Sequence, residues 1–194
     1  MVFGGHVYGY HGTTEEIANK ILKEGFKASV RKGLWLGTGA YFFQDGPHHA
    51  YRWARDRIAP KLGGTPTVVR ATLRLDECLD LLDATFWGYI DGIWRSYFRQ
   101  FSGEQLDITA LVDDNYAKTG LVGRNIVDAQ VMNLAVQKLR EVLAHSGKGL
   151  TTLRAAFIEG RPIHPTSWIF DESHVVVVAL DSSPVSDIQT VRIS

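Results

Sequence analysis

Apolar and polar positions alternate most regularly from Pro66 to Leu75, where Val69, Ala71, Leu73 and Leu75 oppose Val68, Arg70, Thr72 and Arg74. A period of two predicts a strand buried on one face. Another strand is predicted over Val7–His11 and stopped by Gly12. Thr13-Thr14-Glu15-Glu16 then has the Thr-x-x-Glu spacing of a capping box, in which hydroxyl and carboxylate each satisfy an orphan helix N–H. Ile17, Ile21 and Leu22 keep a helical spacing behind it, and Gly25 suits the left-handed residue that ends such a helix.

Further along, Trp35 to Phe43 is aromatic and strand-like, and Asp45-Gly46-Pro47 reads as a helix entry with Pro in the first turn. Ala50, Trp53 and Ile58 fall on one face of the helix that follows. Residues 78–147 are predicted to be mainly helical. Phe86, Ile90, Ile93, Tyr97 and Phe101 form one stripe and Val127, Val131, Leu134 and Leu143 another, with loops at Ser102-Gly103 and Asp113-Asp114-Asn115. The chain closes with strands over Arg154–Gly160 and His174–Leu180, joined by a connection containing Pro162 and Pro165. The expected fold is α+β: a single domain over residues 1–194 with a helical insertion at about 78–147.

Composition narrows the function classes. The 194 residues carry 21 basic and 21 acidic side chains, a balance that argues against gripping duplex nucleic acid or an anionic membrane by bulk charge. Basic residues are in excess only over the first 77 positions, a distribution that suits a phosphate-bearing ligand. The one cysteine, Cys78, excludes an internal disulfide and a thiolate zinc cluster. No apolar run approaches a membrane span, and the start lacks a basic segment followed by an apolar one, so the expected address is the cytoplasm.

Several motifs fail. Gly37-x-Gly39 invites a dinucleotide-fold reading, but Phe42 stands where the third glycine would admit a pyrophosphate. There is no P-loop and no Gly-x-Ser-x-Gly elbow, and the adjacent His48 and His49 point to different helix faces, so no metal is expected.

Two segments hold together: His11-Gly12-Thr13 at a strand end, then Gly37-Thr38-Gly39-Ala40-Tyr41-Phe42 about 25 residues on. In this order they resemble the diphtheria-toxin-like and poly(ADP-ribose) polymerase-like ADP-ribosyltransferases, over residues 7–83 closely and over the last 40 loosely. The helical middle lies outside the likeness. The resemblance implies a split β-sheet core and NAD as co-substrate, with no metal. It also implies His11 on a ribose hydroxyl, Gly12 backbone groups on the nicotinamide amide, and Tyr41 stacked on the ring with Gly39 leaving room. Tyr10, Thr13, Phe42 and His49 join the implied NAD-binding set, and Ala50 is the small residue against the pocket.

The family's third residue, a glutamate on a late strand, matches Val176 when Asp181 is aligned with the family's aspartate. Polymer synthesis is therefore not expected, and three side chains are candidates for the missing acid. Glu159 comes first, since a hairpin of the two last strands would bring it near His174; His174 shares a strand face with position 176; Glu172 would fit if a bulge shifted the register. The implied activity is transfer of ADP-ribose to a macromolecule, protein or RNA/DNA. Alternatives are NAD hydrolysis in the same pocket, a silent ADP-ribose or nucleic-acid binding domain, and a protein-interaction module using the aromatic helices. A bacterial toxin or defence effector suits a compact transferase of this family, with an antitoxin as a further partner and no membrane. Arg31, Lys32, Arg52 and Arg55 are candidates for guiding a strand or binding the pyrophosphate. The Arg161–Ser173 loop, with Trp168 and Phe170, corresponds to the region that shapes acceptor choice in the family.

Overall fold

A computed structural model describes the backbone of residues 5–29, 34–101 and 122–193, with side chains over these apart from 97–101 and 122–127. Arg31, Lys32, the predicted loops at 102–103 and 113–115, and the side chains of Tyr97, Phe101 and Val127 lie outside the described residues. The chain divides into two compact units, one of residues 1–28, 40–82 and 151–194 and the other of 29–39 and 83–150.

The first unit is built on a seven-stranded sheet in the order β4-β5-β6-β2-β1-β3-β7. Its strands are β1 (His6–Thr14), β2 (Ala40–Gln44), β3 (Pro66–Arg74), β4 (Cys78–Asp80), β5 (Thr152–Phe157), β6 (His174–Ala179) and β7 (Val185–Val191). All neighbours are antiparallel except β4 and β5, so the α+β expectation holds at the level of class. β4 and β7 are strands beyond those read from the sequence, and β4 lies in the stretch assigned to helix.

The β3 alternation holds over most of its length: Val69, Ala71 and Leu73 are fully buried on the face that also carries Gly9, Phe42, Val177 and Ala179, but Val68, on the opposing face, is buried as well. Helix α1 (Glu15–Glu24) covers that face with Ala18 and Ile21, and Phe26 follows it into the same core. β1 runs past Gly12 to Thr14, paired with β3 throughout, so the helix N-cap is Thr14 and the predicted Thr13–Glu16 capping box does not form. The Glu15 N–H is instead taken by the Thr65 carbonyl at 2.9 Å. Gly25 ends the helix with a positive φ of 76°, as expected, but with ψ 178° rather than in the left-handed helical conformation.

Helix α2 (Pro47–Trp53) lies on the opposite face, and a π-helical turn (Ala54–Ile58) and helix α3 (Ala59–Leu62) continue it. At the sheet's other side Asp80 and Arg154 form a bidentate pair, Nε to Oδ1 at 3.0 Å, and Asp80 also accepts the Leu82 N–H at 3.1 Å. Both side chains are largely buried. Removing one partner strands the other charge, so Asp80→Ala is expected to lower unfolding free energy by about 3–5 kcal/mol. Urea denaturation checks this, and replacing both residues by leucine should recover much of the loss.

In the second unit α4 (Trp87–Phe101) and α5 (Val122–Ala144) are joined by the Tyr89 hydroxyl donating to the Ala135 carbonyl at 2.7 Å. Phe86, Ile90 and Ile93 are half-buried; of the stripe predicted on α5, Val131 is buried and Leu134 and Leu143 are half-buried, while Met132, Ala135 and Val136, outside that stripe, are buried as well. The segment before β2 is a turn, not strand: Gly37 has φ 79° and its N–H bonds the Leu34 carbonyl at 3.1 Å. Among the described residues no helix is long and apolar enough to cross a membrane.

Candidate functional site

The sheet is narrowest where β1 meets β2. Only Gly9–Gln44 and Tyr10–Phe43 pair there, whereas β1 stays paired with β3 for four more residues. At the point of parting, His11 Nδ1 lies 2.8 Å from the Tyr41 carbonyl oxygen. A carbonyl only accepts, so Nδ1 carries the proton and Nε2 is the lone-pair nitrogen of the neutral ring. Phe26 and Phe42, with ring centroids 5.4 and 6.0 Å from His11, hold the imidazole from the α1 side. His11 therefore meets Tyr41 through that residue's backbone, and the Tyr41 side chain alternates to the α2 face.

Gly12 stands just past the last β1–β2 pair. The Tyr8 carbonyl accepts the Asp45 N–H at 2.8 Å, on the β2 side of the strand. Two and four residues on, Tyr10 and Gly12 aim their backbone groups the same way. The missing side chain of Gly12 has a packing reason, since a Cβ would run into the Ala50 carbonyl oxygen of α2.

On the α2 face a cluster of rings surrounds Phe43. His174 lies 4.9 Å from it, His49 5.9 Å and Trp53 6.5 Å, while Phe157 stacks 5.8 Å from His174 and His49 is 5.5 Å from His174. The register explains the grouping: Phe43 pairs with Val176, and His174 with Phe157, so their side chains share one face. His49 and Trp53 reach it from one helix face at a spacing of four. His174 Nδ1 lies 2.6 Å from the Glu172 carbonyl, which again makes Nδ1 the donor. The Glu172 carboxylate pairs with Arg52 Nη2, and the Glu172 N–H bonds the Glu159 carbonyl at 3.2 Å.

Burial, then the neighbouring His174 imidazole and Arg52, hold His49 below the ordinary imidazole pKa, with Glu172 opposing them. Such a histidine stays neutral in the folded chain where the unfolded chain takes up a proton. The fold is therefore expected to lose stability as pH falls below about 6.5, with nothing gained above it. Melting temperatures of the wild type and His49→Gln across that range check this, the variant showing the shallower slope.

The hairpin of β5 and β6 forms, and it brings Glu159 beside Glu172 at its end. The Glu159 side chain is exposed, and Val176 is buried. Tyr10 is half-buried on the α2 face between Phe43 and Arg70, and Thr13 is buried in β1 opposite Thr67. Gly39, in the second unit, bridges Ser29. The Thr38 N–H takes Asn133 Oδ1 at 2.8 Å, and a Cβ on Gly37 would collide with that same oxygen. Sequence reasoning missed Phe43, Phe157 and the joining of Arg52 to Glu172. The signal for Phe157 was available in the hairpin register, whereas the Arg52–Glu172 pair joins residues 120 apart.

Comparison with protein-family models, with curated proteins and with solved structures found no match to the chain. Among the described residues no group of three or more His, Cys, Asp or Glu is placed to hold a metal ion. What the site offers is an aromatic-lined face, imidazoles whose inner nitrogens are tied to carbonyls, and backbone groups at a strand edge.

Proposed function

We propose that the chain is an NAD-dependent ADP-ribosyltransferase with the split-sheet core of that superfamily, releasing nicotinamide and moving ADP-ribose to a macromolecular acceptor in the cytoplasm. The observation that carries this reading is the His11 Nδ1 bond to the Tyr41 carbonyl where β1 and β2 part. It ties together the two motifs of the resemblance and sets the tautomer in which Nε2, in a neutral ring, would be the atom to accept from a ribose hydroxyl. Beside it, the backbone groups of Gly12 suit the nicotinamide amide, and Tyr41 and Phe43 supply apolar ring faces on the α2 side. Breaking the nicotinamide–ribose bond builds positive charge on the ribose, which a nearby acceptor stabilises.

One observation favours a second reading, NAD hydrolysis. Val176 is buried at the position matched to the family's acid, so no carboxylate there orients an acceptor against competing water. NAD labelled in its adenylate half separates the two. Label on protein or nucleic acid is expected for transfer, free ADP-ribose for hydrolysis, and intact NAD overturns both in favour of a silent binding domain. A role as a bacterial toxin or defence effector, held in check by an antitoxin, fits the transferase reading.

The loop between β5 and β6 supports a macromolecular acceptor. It is a narrow finger closed by Asp171 N–H to Arg161 O at 3.0 Å and Ile163 N–H to Ile169 O at 3.0 Å. Near its tip Trp168 is 93% exposed and Ile169 65%. Exposed apolar groups on an ordered hairpin mark a contact surface. Trp168→Ser is expected to leave nicotinamide release within about twofold while lowering acceptor labelling roughly tenfold or more. Equal labelling by wild type and variant would remove the finger from acceptor binding.

A further inference from the structure

We infer that His174 supplies the proton acceptor that position 176 lacks, and that Glu172 and Arg52 hold it in place. This rests on the NAD reading above and adds to it a residue and a role. Four observations converge on His174. Its Nδ1–H is committed to the Glu172 carbonyl, so the neutral ring has its acceptor lone pair on Nε2. Its ring is fixed on three sides by Phe43, His49 and Phe157. It shares the strand face of Val176, two residues away, and of Tyr41 across β2. The two nearby carboxylates are differently disposed: that of Glu172 is engaged by Arg52, and that of Glu159 is exposed at the hairpin end.

Glu172 is the hub of this arrangement. Its carbonyl sets the His174 tautomer, its N–H holds the end of β5 through Glu159, and its carboxylate fastens the hairpin to α2 through Arg52. Glu172 and Arg52 are thus positioning residues. In the reaction the acceptor's oxygen or nitrogen bonds to the ribose C1′ as the bond from C1′ to the nicotinamide nitrogen breaks. The electron pair leaves with neutral nicotinamide, and the acceptor's proton passes to His174 Nε2, which later returns it to solvent. Water in the acceptor's place follows the same course. The charged and titratable groups around the resulting imidazolium are His49, Arg52 and Glu172, of which Glu172 alone is anionic.

The test measures nicotinamide release and NAD affinity side by side. His174→Asn places an amide donor where Nδ1 was, preserving the bond to the Glu172 carbonyl while deleting Nε2. Its release rate is expected to fall roughly 10²-fold, with the NAD dissociation constant within about threefold. For His174→Gly, added free imidazole should restore part of the rate, a recovery that a purely structural histidine would not show. Arg52→Gln should slow release and Arg52→Lys recover it. Nicotinamide release by His174→Asn at the wild-type rate, or a failure of imidazole to rescue His174→Gly, overturns the inference and leaves the NAD reading standing. So does a collapse confined to Glu159→Gln. A wild-type chain that neither binds NAD nor releases nicotinamide overturns both.

Discussion

Gly12→Ala is expected to destabilise the fold by about 3 kcal/mol or more, the upper range for overpacking in a close-packed interior. The added methyl would be driven into the Ala50 carbonyl, with the Ala54 nitrogen 3.0 Å away, and both atoms belong to helix backbone. A flexible side chain could turn aside, whereas helix backbone moves only with its whole element in a close-packed interior. For a chain of this length each kcal/mol lowers the melting temperature by about 2–4 °C, so a fall of roughly 6–12 °C is expected. Gly25→Ala provides the contrast. That glycine has φ 76° and ψ 178° but nothing within 4 Å of a Cβ, so only backbone strain opposes the change, worth about 1–3 kcal/mol. Equal melting temperatures for the two variants would show that α2 yields easily, and would weaken the packing account of Gly12.

This result matters for how the motif is understood. His11-Gly12-Thr13 was legible as part of the first strand, which runs on past Gly12 to Thr14 and loses only its β2 partner there. The purpose of Gly12 was not, because the atom that excludes a side chain there comes from residue 50. Gly37 repeats the lesson: its partner, Asn133, lies 96 positions away, and no local rule marks the pairing. Where neighbours along the chain decide the structure, prediction and fold agree, as in the alternation of β3, the Pro47 helix start and the Gly25 stop.

β7 shows the opposite case. Val185, Ile188 and Val191 recur every third residue, which is not a strand period. The register shift against β3 between Arg70 and Thr72, with Asp187 at φ 50°, allows such a segment to pair while Val185 and Ile188 still face the core. β4 is only three residues long and buried throughout, so it has no alternation to read. The capping box failed for a related reason. Both its residues are present, but pairing with β3 carries β1 to Thr14, so Thr13 stays in the strand and the N-cap falls on Thr14, without a side-chain cap. The candidate site divides the same way: His11 and Tyr41 are named from motif and joined by a hydrogen bond, whereas Phe43, Phe157 and the Arg52–Glu172 pair are grouped by strand register and helix placement.

His11→Asn is expected to separate the structural from the chemical use of the strand-end histidine. The Asn amide nitrogen occupies nearly the place of Nδ1, so the bond to the Tyr41 carbonyl survives and the melting temperature should stay within about 3 °C of wild type, the equivalent of roughly 1 kcal/mol. What disappears is Nε2, which the proposed transferase reading places on a ribose hydroxyl. Nicotinamide release should therefore fall roughly 10²–10³-fold, the usual cost of losing one preorganised polar contact at a reacting centre. His11→Gln is the mirror image, offering a polar group near Nε2 while giving up the inner bond and the edge contact with Phe26 at 5.4 Å. It should melt lower than His11→Asn, since the Tyr41 carbonyl loses its donor where β1 no longer pairs with β2. Were His11→Asn to release nicotinamide at the wild-type rate, His11 would act as a staple between the two strands, and its part in the proposed reaction would fall.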